Sequence, residues 1–203
     1  MARRADHNRE ELLDLALSAA RQIVEEDGVP ALTARKVADR MGYSPGTLYN
    51  LFDNIDDLVV RVNGATLDEL FGALRDAPVT GDPTEDVLSL SARYLTFLDR
   101  NGNLCELLFD YTNAQNYELP DWYRQKIRQG LEILGQALSP IFAEGQINEI
   151  SESARTLWAS LQGICSLSKN GKLDVVGGQS RDAMTQSLVT HFVTGLRHAH
   201  SQG

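Results

Sequence analysis

Cysteine, histidine and long apolar runs are what this chain of 203 residues has least of. Its two cysteines, Cys105 and Cys165, lie far apart and each sits among apolar neighbours. That count and spacing fit neither a disulfide framework nor a zinc site, and predict two buried thiols. The four histidines are His7, His191, His198 and His200. No carboxylate at matching spacing joins them, so no metal is expected. No uninterrupted apolar run approaches the roughly 18 residues that a membrane-spanning helix needs. The opening MARRADHNREELL has positive charge but no apolar region behind it, which does not read as a signal peptide. A cytoplasmic location is expected. Glycine-rich phosphate loops and nucleophile elbows are missing too, so neither catalysis nor a cofactor is expected. Cations are in deficit, 19 Lys+Arg against 28 Asp+Glu for a net charge of −9, which excludes indiscriminate coating of nucleic acid. No stretch alternates apolar and polar residues as a half-buried strand would, and no internal repeat is present. An all-α fold remains, and 42% hydrophobic residues supply its core.

The most informative stretch present is Thr33 to Phe52, TARKVADRMGYSPGTLYNLF. Thr33 reads as an N-cap, because its hydroxyl can accept from an orphan amide of the first turn. Ala34, Val37, Ala38 and Met41 recur at helical spacing. Gly42 follows where that helix must stop, since glycine takes the left-handed conformation cheaply. Ser44 caps a second helix, and Pro45 stands at its first position, where a missing amide costs nothing. Leu48 and Phe52, four apart, face inward with Leu51 beside them, while Thr47, Tyr49 and Asn50 point elsewhere. A small residue at Ala38 and the glycine turn allow the steep crossing of a helix-turn-helix.

Thr33-Ala34-Arg35-Lys36-Val37-Ala38, then Gly42-Tyr43-Ser44-Pro45-Gly46-Thr47-Leu48-Tyr49, closely resembles the DNA-binding signature of the TetR family of transcriptional regulators. The resemblance covers roughly Arg9 to Leu58. It implies that Thr33, Arg35, Lys36 and Tyr49 position phosphates. It also implies that Tyr43, Ser44, Pro45, Gly46, Thr47 and Asn50 meet base edges, Asn50 suiting adenine and Thr47 a thymine methyl. Two departures stand out. A histidine is usual at Leu51 and a lysine at Ile55, so two polar contacts are missing. Residues 1–61 carry 8 Lys+Arg against 11 Asp+Glu, so the argument rests on local placement. Arg3, Arg4, Arg9, Arg35, Lys36 and Arg40 are expected on one face, with Glu25, Glu26 and Asp27 on another.

Around this stretch, Leu12, Leu13, Ala16, Ala19, Ala20, Ile23 and Val24 give a first helix from Arg9 to Asp27, stopped by Gly28 and Pro30. Asn54 reads as the N-cap of a fourth helix that runs unbroken to just before Pro78. No Ser/Gly-rich spacer follows the helix-turn-helix. The expected division is therefore residues 1–57 as a three-helix DNA-binding domain and residues 58–203 as a helical ligand-binding and dimerisation domain. Further helices are expected over Pro83 to Arg100, Leu104 to Phe109, from Trp122 to Leu138, from about Ser151, and from Gln179 to His200, with Tyr111 to Glu118 as a polar loop. The segment Leu157-Trp158-Ala159-Ser160-Leu161-Gln162-Gly163 also resembles a TetR C-terminal type in which a histidine-glycine pair follows the tryptophan; Gln162 takes the place of that histidine.

Tyr94, Leu98, Phe109, Trp122, Tyr123, Trp158 and Gln162 supply apolar area with few polar groups, the usual make-up of a small-molecule pocket. Ala154, Leu161, Leu188, Phe192, Gly195 and Ala199 form stripes on the last two long helices that suit a two-fold four-helix interface. One recognition helix contacts too few base pairs to select a site, so a homodimer on a palindrome is expected. The combined reading is a repressor released from double-stranded operator DNA by a small apolar effector, with no membrane partner. The same features suit an activator or a co-repressor-dependent regulator. The missing lysine and the acidic balance suit an all-α binding protein with a vestigial helix-turn-helix.

Overall fold

The computed structural model describes residues 8–112, 117–177 and 179–201. Among them are ten α-helices and no strand, so the all-α expectation holds. No helix among the described residues is long and apolar enough to cross a membrane.

α1 (Arg9–Asp27) starts where its sequence says it should. The Asn8 side chain accepts from the Glu11 amide at 3.0 Å, and the Glu11 carboxylate accepts from the Asn8 amide at 2.8 Å. This reciprocal box satisfies two orphan donors. Gly28 ends the helix and a 3-10 turn, Val29–Ala31, leads into α2 (Ala34–Met41). The Thr33 hydroxyl caps α2 by accepting from the Lys36 amide at 3.2 Å. Gly42 then closes α2 at φ +77°, the left-handed conformation that the turn requires. α3 (Pro45–Tyr49) and α4 (Ile55–Arg75) follow, with the Asn54 side chain accepting from the Asp57 amide at 3.0 Å.

The contacts divide the chain into two compact units, residues 1–68 with 100–124 and residues 69–99 with 125–203. The first unit has one core. Ala16 and Ala20 of α1 are fully buried and let Val37, Leu48, Phe52, Leu58 and Val59 approach closely. α6 (Gly102–Phe109) adds Leu104 and Leu107 to the same core, and the Asn103 side chain donates to the Glu25 carbonyl at 3.1 Å. The two positions where a polar residue is usual in the resembled signature are apolar for a visible reason. Leu51 is buried, and Ile55 packs half-buried against this core.

The second unit is built on α5 (Pro83–Arg100), α8 (Ile147–Lys169) and α10 (Arg181–His200). Val87, Ala154, Leu157, Leu161, Val189 and Val193 are its buried centre, with Leu138 from α7 (Asp121–Leu138). Gly130 of α7 leaves room for the Phe71 ring: a Cβ there would lie 2.3 Å from it. Asp86 fastens the turn before α5, accepting from the Thr80 amide at 2.7 Å, the Thr80 hydroxyl at 2.8 Å and the Gly81 amide at 3.1 Å. The Thr80 amide, chiefly, holds the Asp86 carboxyl below the ordinary carboxylate range against the opposing effect of burial. Arg181 grips Asp99 through two nitrogens at 2.6 and 2.9 Å, and Arg197 reaches Asp82 at 2.6 Å.

Some helix limits differ from expectation, and one short helix was not expected. α8 begins four residues earlier than Ser151, at Ile147, and a short α9 (Lys172–Val176) follows Gly171. The polar loop from Tyr111 falls partly outside the described residues, as do Arg3, Arg4 and His7.

Candidate functional site

The turn between α2 and α3 is held by backbone hydrogen bonds. The Gly42 amide donates to the Asp39 carbonyl at 3.1 Å and the Tyr43 amide to the Ala38 carbonyl at 2.9 Å. α3 is short, and its outward direction is fixed by what it buries. Leu48, Leu51 and Phe52 are 3%, 8% and 3% exposed and anchor one side. The opposite side presents Ser44, Pro45, Gly46, Tyr49 and Asn50, with Tyr49 58% exposed. Tyr43 and Thr47 are half-buried, and the Thr47 hydroxyl lies 3.2 Å from that of Ser44. A free amide and a phenol on an otherwise small surface can enter a groove without displacing bulk. The structure therefore brings six of the expected contact residues, Ser44 to Thr47 with Tyr49 and Asn50, onto one small convex face.

The charge layout corrects the expectation. Lys36 Nζ lies 2.8 Å from Asp27, and Arg40 lies 2.7 Å from Glu26. The acidic end of α1 thus sits beside the cations of α2 instead of on another face. The cause is the tight Gly28–Pro30 reversal, which returns the chain along α1. The hydrogen bond from Lys36 in turn holds the Asp27 carboxyl below the ordinary range. Arg35 differs: its side chain is 87% exposed, with Asp39 at 3.9 Å. Releasing the two held cations should change DNA binding measurably. Glu26→Gln with Asp27→Asn is expected to tighten binding to any duplex. The slope of log affinity against log salt should steepen by about one per freed cation. An unchanged slope in an anisotropy titration would place Lys36 and Arg40 away from phosphate. Stability should barely move, because exposed ion pairs contribute little.

The residues expected around a small molecule fall into both units. In the first, Tyr123 is buried and Trp122 stands edge-on to it at 5.5 Å, itself 40% exposed, while Phe109 is half-buried. Burial pushes the Tyr123 hydroxyl up to about 12, with a hydrogen bond from Asn63 acting the other way. In the second, the buried Tyr94 hydroxyl donates to the Gln162 side-chain oxygen; Leu98 is half-buried and Trp158 is 39% exposed. Sequence reasoning passed over Asn63, whose only signal is an amide inside the apolar run of α4. It is buried, donates to the Leu107 carbonyl at 3.1 Å, and its own Oδ1 has no partner among the described residues. Asp56, expected as a first-turn carboxylate of α4 facing the DNA backbone, is instead buried and accepts from the Tyr111 hydroxyl at 3.0 Å.

Of the six residues expected between protomers, Ala154 and Leu161 are corrected. They are 1% and 5% exposed and fill the core between α8 and α10, out of reach of a partner. Helical periodicity found a real apolar stripe, but that stripe is used within the chain. Leu188 and Phe192 are half-buried against the same core, and Gly195 and Ala199 are exposed.

Comparison with known proteins bears on this architecture. Residues 16–62 match the model for bacterial regulatory proteins of the tetR family, and residues 87–192 match the model for the tetracyclin repressor-like C-terminal domain. The chain is 37% identical over 73 residues to the HTH-type transcriptional repressor KstR2 of Rhodococcus jostii, a match spanning 36% of this chain and 34% of that protein. The likeness thus extends over about a third of that relative's length. A solved protein of unknown function from Rhodococcus sp. RHA1 superposes with a TM-score of 0.72 at 20% identity, covering 96% of this chain and 99% of that one. BioQ, crystallised with its double-stranded DNA operator, gives 0.64 at 18% identity over 95% and 99%. The multidrug binding protein EbrR, complexed with imidazole, gives 0.62 at 21% identity over 92% and 96%.

Proposed function

The chain belongs to the TetR family of DNA-binding transcriptional regulators, and we propose that it is a homodimeric repressor released from a palindromic operator by a small apolar ligand. Its work is binding and not catalysis. In this reading residues 1–57 meet DNA, and residues 58–203 hold the effector and the partner subunit. The observation that carries it is the outward face of α3, where Tyr49 and Asn50 project beside Ser44, Pro45 and Gly46 on a buried Leu48–Phe52 base. Tyr49, Thr33, Arg35 and Lys36 position phosphates, Lys36 after exchanging Asp27 for DNA. Asn50 and Thr47, with Tyr43, read bases. The repressor reading is supported by the name of KstR2, and operator binding by the complex in which BioQ was solved.

Effector binding is assigned to Tyr94, Leu98, Phe109, Trp122, Tyr123, Trp158 and Gln162. Such a ligand acts only if it binds the released shape more tightly than the DNA-bound one. The dimer is assigned to the outward sides of α8 and α10. Leu167, 42% exposed, lies there with the exposed small residues Ala159 and Gly163, and Gly195 and Ala199 lie exposed on α10. Small side chains let helices of two copies approach closely, and a closed two-fold pair needs only one such patch.

Ile55→Lys tests how α4 meets DNA. It restores the cation usual at this position, at the expense of half-buried packing that the lysine stem partly replaces. Binding to any duplex is expected to tighten, with the salt slope steeper by about one. If neither changes in a salt titration, residue 55 does not face phosphate.

A further inference from the structure

α7 and α8 enclose an open groove of about 360 Å3 that none of the residues assigned above lines. Leu131 of α7 with Ile147 and Ile150 of α8 make it apolar, and Ile147 is left 71% exposed. Arg128 and Arg155 also line it, and neither makes an ion pair or hydrogen bond among the described residues. Their placement follows from helix geometry. Gly135 meets Ile150 across the groove, where a Cβ would lie 3.3 Å from the isoleucine methyl. From that contact Arg128 lies roughly 10 Å back along α7, and Arg155 roughly 7 Å forward along α8. Both arginines thus line the same groove as Ile147 and Ile150.

We propose that this groove binds a small amphiphile, an uncharged apolar body ending in a carboxylate. Two unpartnered arginine forks match a carboxylate in shape and charge. Two cations in one groove on a chain of net charge −9 make it a local site for an anion. The volume lies in the range of small-molecule sites. Glu132, one turn from Arg128 on the same face of α7, leaves the lining one net positive charge, which matches a single carboxylate and disfavours a dicarboxylate.

The test is calorimetric titration of the full-length protein with octanoate, against 1-octanol, octanedioate and octyl phosphate at millimolar concentrations. Octanoate is expected to bind at least about tenfold more tightly than octanol or octanedioate. Arg128→Gln and Arg155→Gln should each weaken octanoate about tenfold and leave octanol unchanged. Equal affinity for octanol, unaltered binding by both arginine variants, or no heat with octanoate would overturn the proposal. Tighter binding of octyl phosphate would overturn the carboxylate assignment. Gln162→Leu should leave octanoate affinity intact; a loss there would move the probe to the Tyr94–Gln162 pair and refute the groove. Sedimentation of the arginine variants should match wild type, whereas dissociation into monomers would make the groove a contact between copies and end the proposal.

Discussion

Changing Tyr49 and Asn50 together to alanine should weaken specific DNA binding at least a hundredfold while leaving thermal stability nearly unchanged. Stability should hold because neither side chain supports the core: Tyr49 is 58% exposed and Asn50 lies open to solvent, whereas Leu48 and Phe52 carry the packing. Binding should fall because each contact of this kind is worth about 1–3 kcal/mol. Two such losses together reach a hundredfold, which corresponds to about 2.7 kcal/mol. The single variants should separate the roles. Tyr49→Phe removes a phosphate donor and should weaken all sequences alike. Asn50→Ala should chiefly relax preference at one base pair. Fluorescence anisotropy against an operator and its single-base variants reads both. A uniform loss for Asn50→Ala would move that side chain from base edge to backbone.

Leu107→Ala should destabilise the unit that contains the recognition helix by about 3 kcal/mol, although it lies far along the chain from that helix. Its side chain is fully buried, Leu104 beside it is 1% exposed, and both belong to the core built by α1 and the helix-turn-helix. Truncation there leaves a cavity that flanking helices cannot readily fill, and it also loosens the seat of the Asn63 hydrogen bond to the Leu107 carbonyl. Val79→Ala is the control, because Val79 is 87% exposed and should change stability by less than about 0.5 kcal/mol. Chemical denaturation of the two variants side by side decides the matter. Equal midpoints would mean that α6 contributes nothing to this core.

What the sequence reveals and what it conceals divide by distance along the chain. The caps at Thr33 and Gly42 and the first-position Pro45 obey local rules of hydrogen bonding and backbone conformation, so both small helices and their turn are readable from residue types alone. The end of α4 before Pro78 and the start of α5 at Pro83 are equally local. Leu104 and Leu107 are not: a short apolar piece reads the same whether it packs on its neighbours or on α1. The ion pairs from Lys36 to Asp27 and from Arg40 to Glu26 likewise depend on the direction of a turn that charge counting does not contain. Ala154 and Leu161 show the same limit in a different form. Periodicity finds the stripe, but only the tertiary packing says that α10 of the same chain already covers it. Leu51 and Ile55 read as missing polar contacts until the core they fill is seen.

The most direct measurement is the binding of the purified protein to palindromic segments upstream of its own gene, followed across salt concentration. Preference for one palindrome is expected, with two protomers per site and an affinity that falls linearly in log salt. Affinity independent of sequence across all palindromes, or one protomer per site, would contradict gene control through the exposed face of α3.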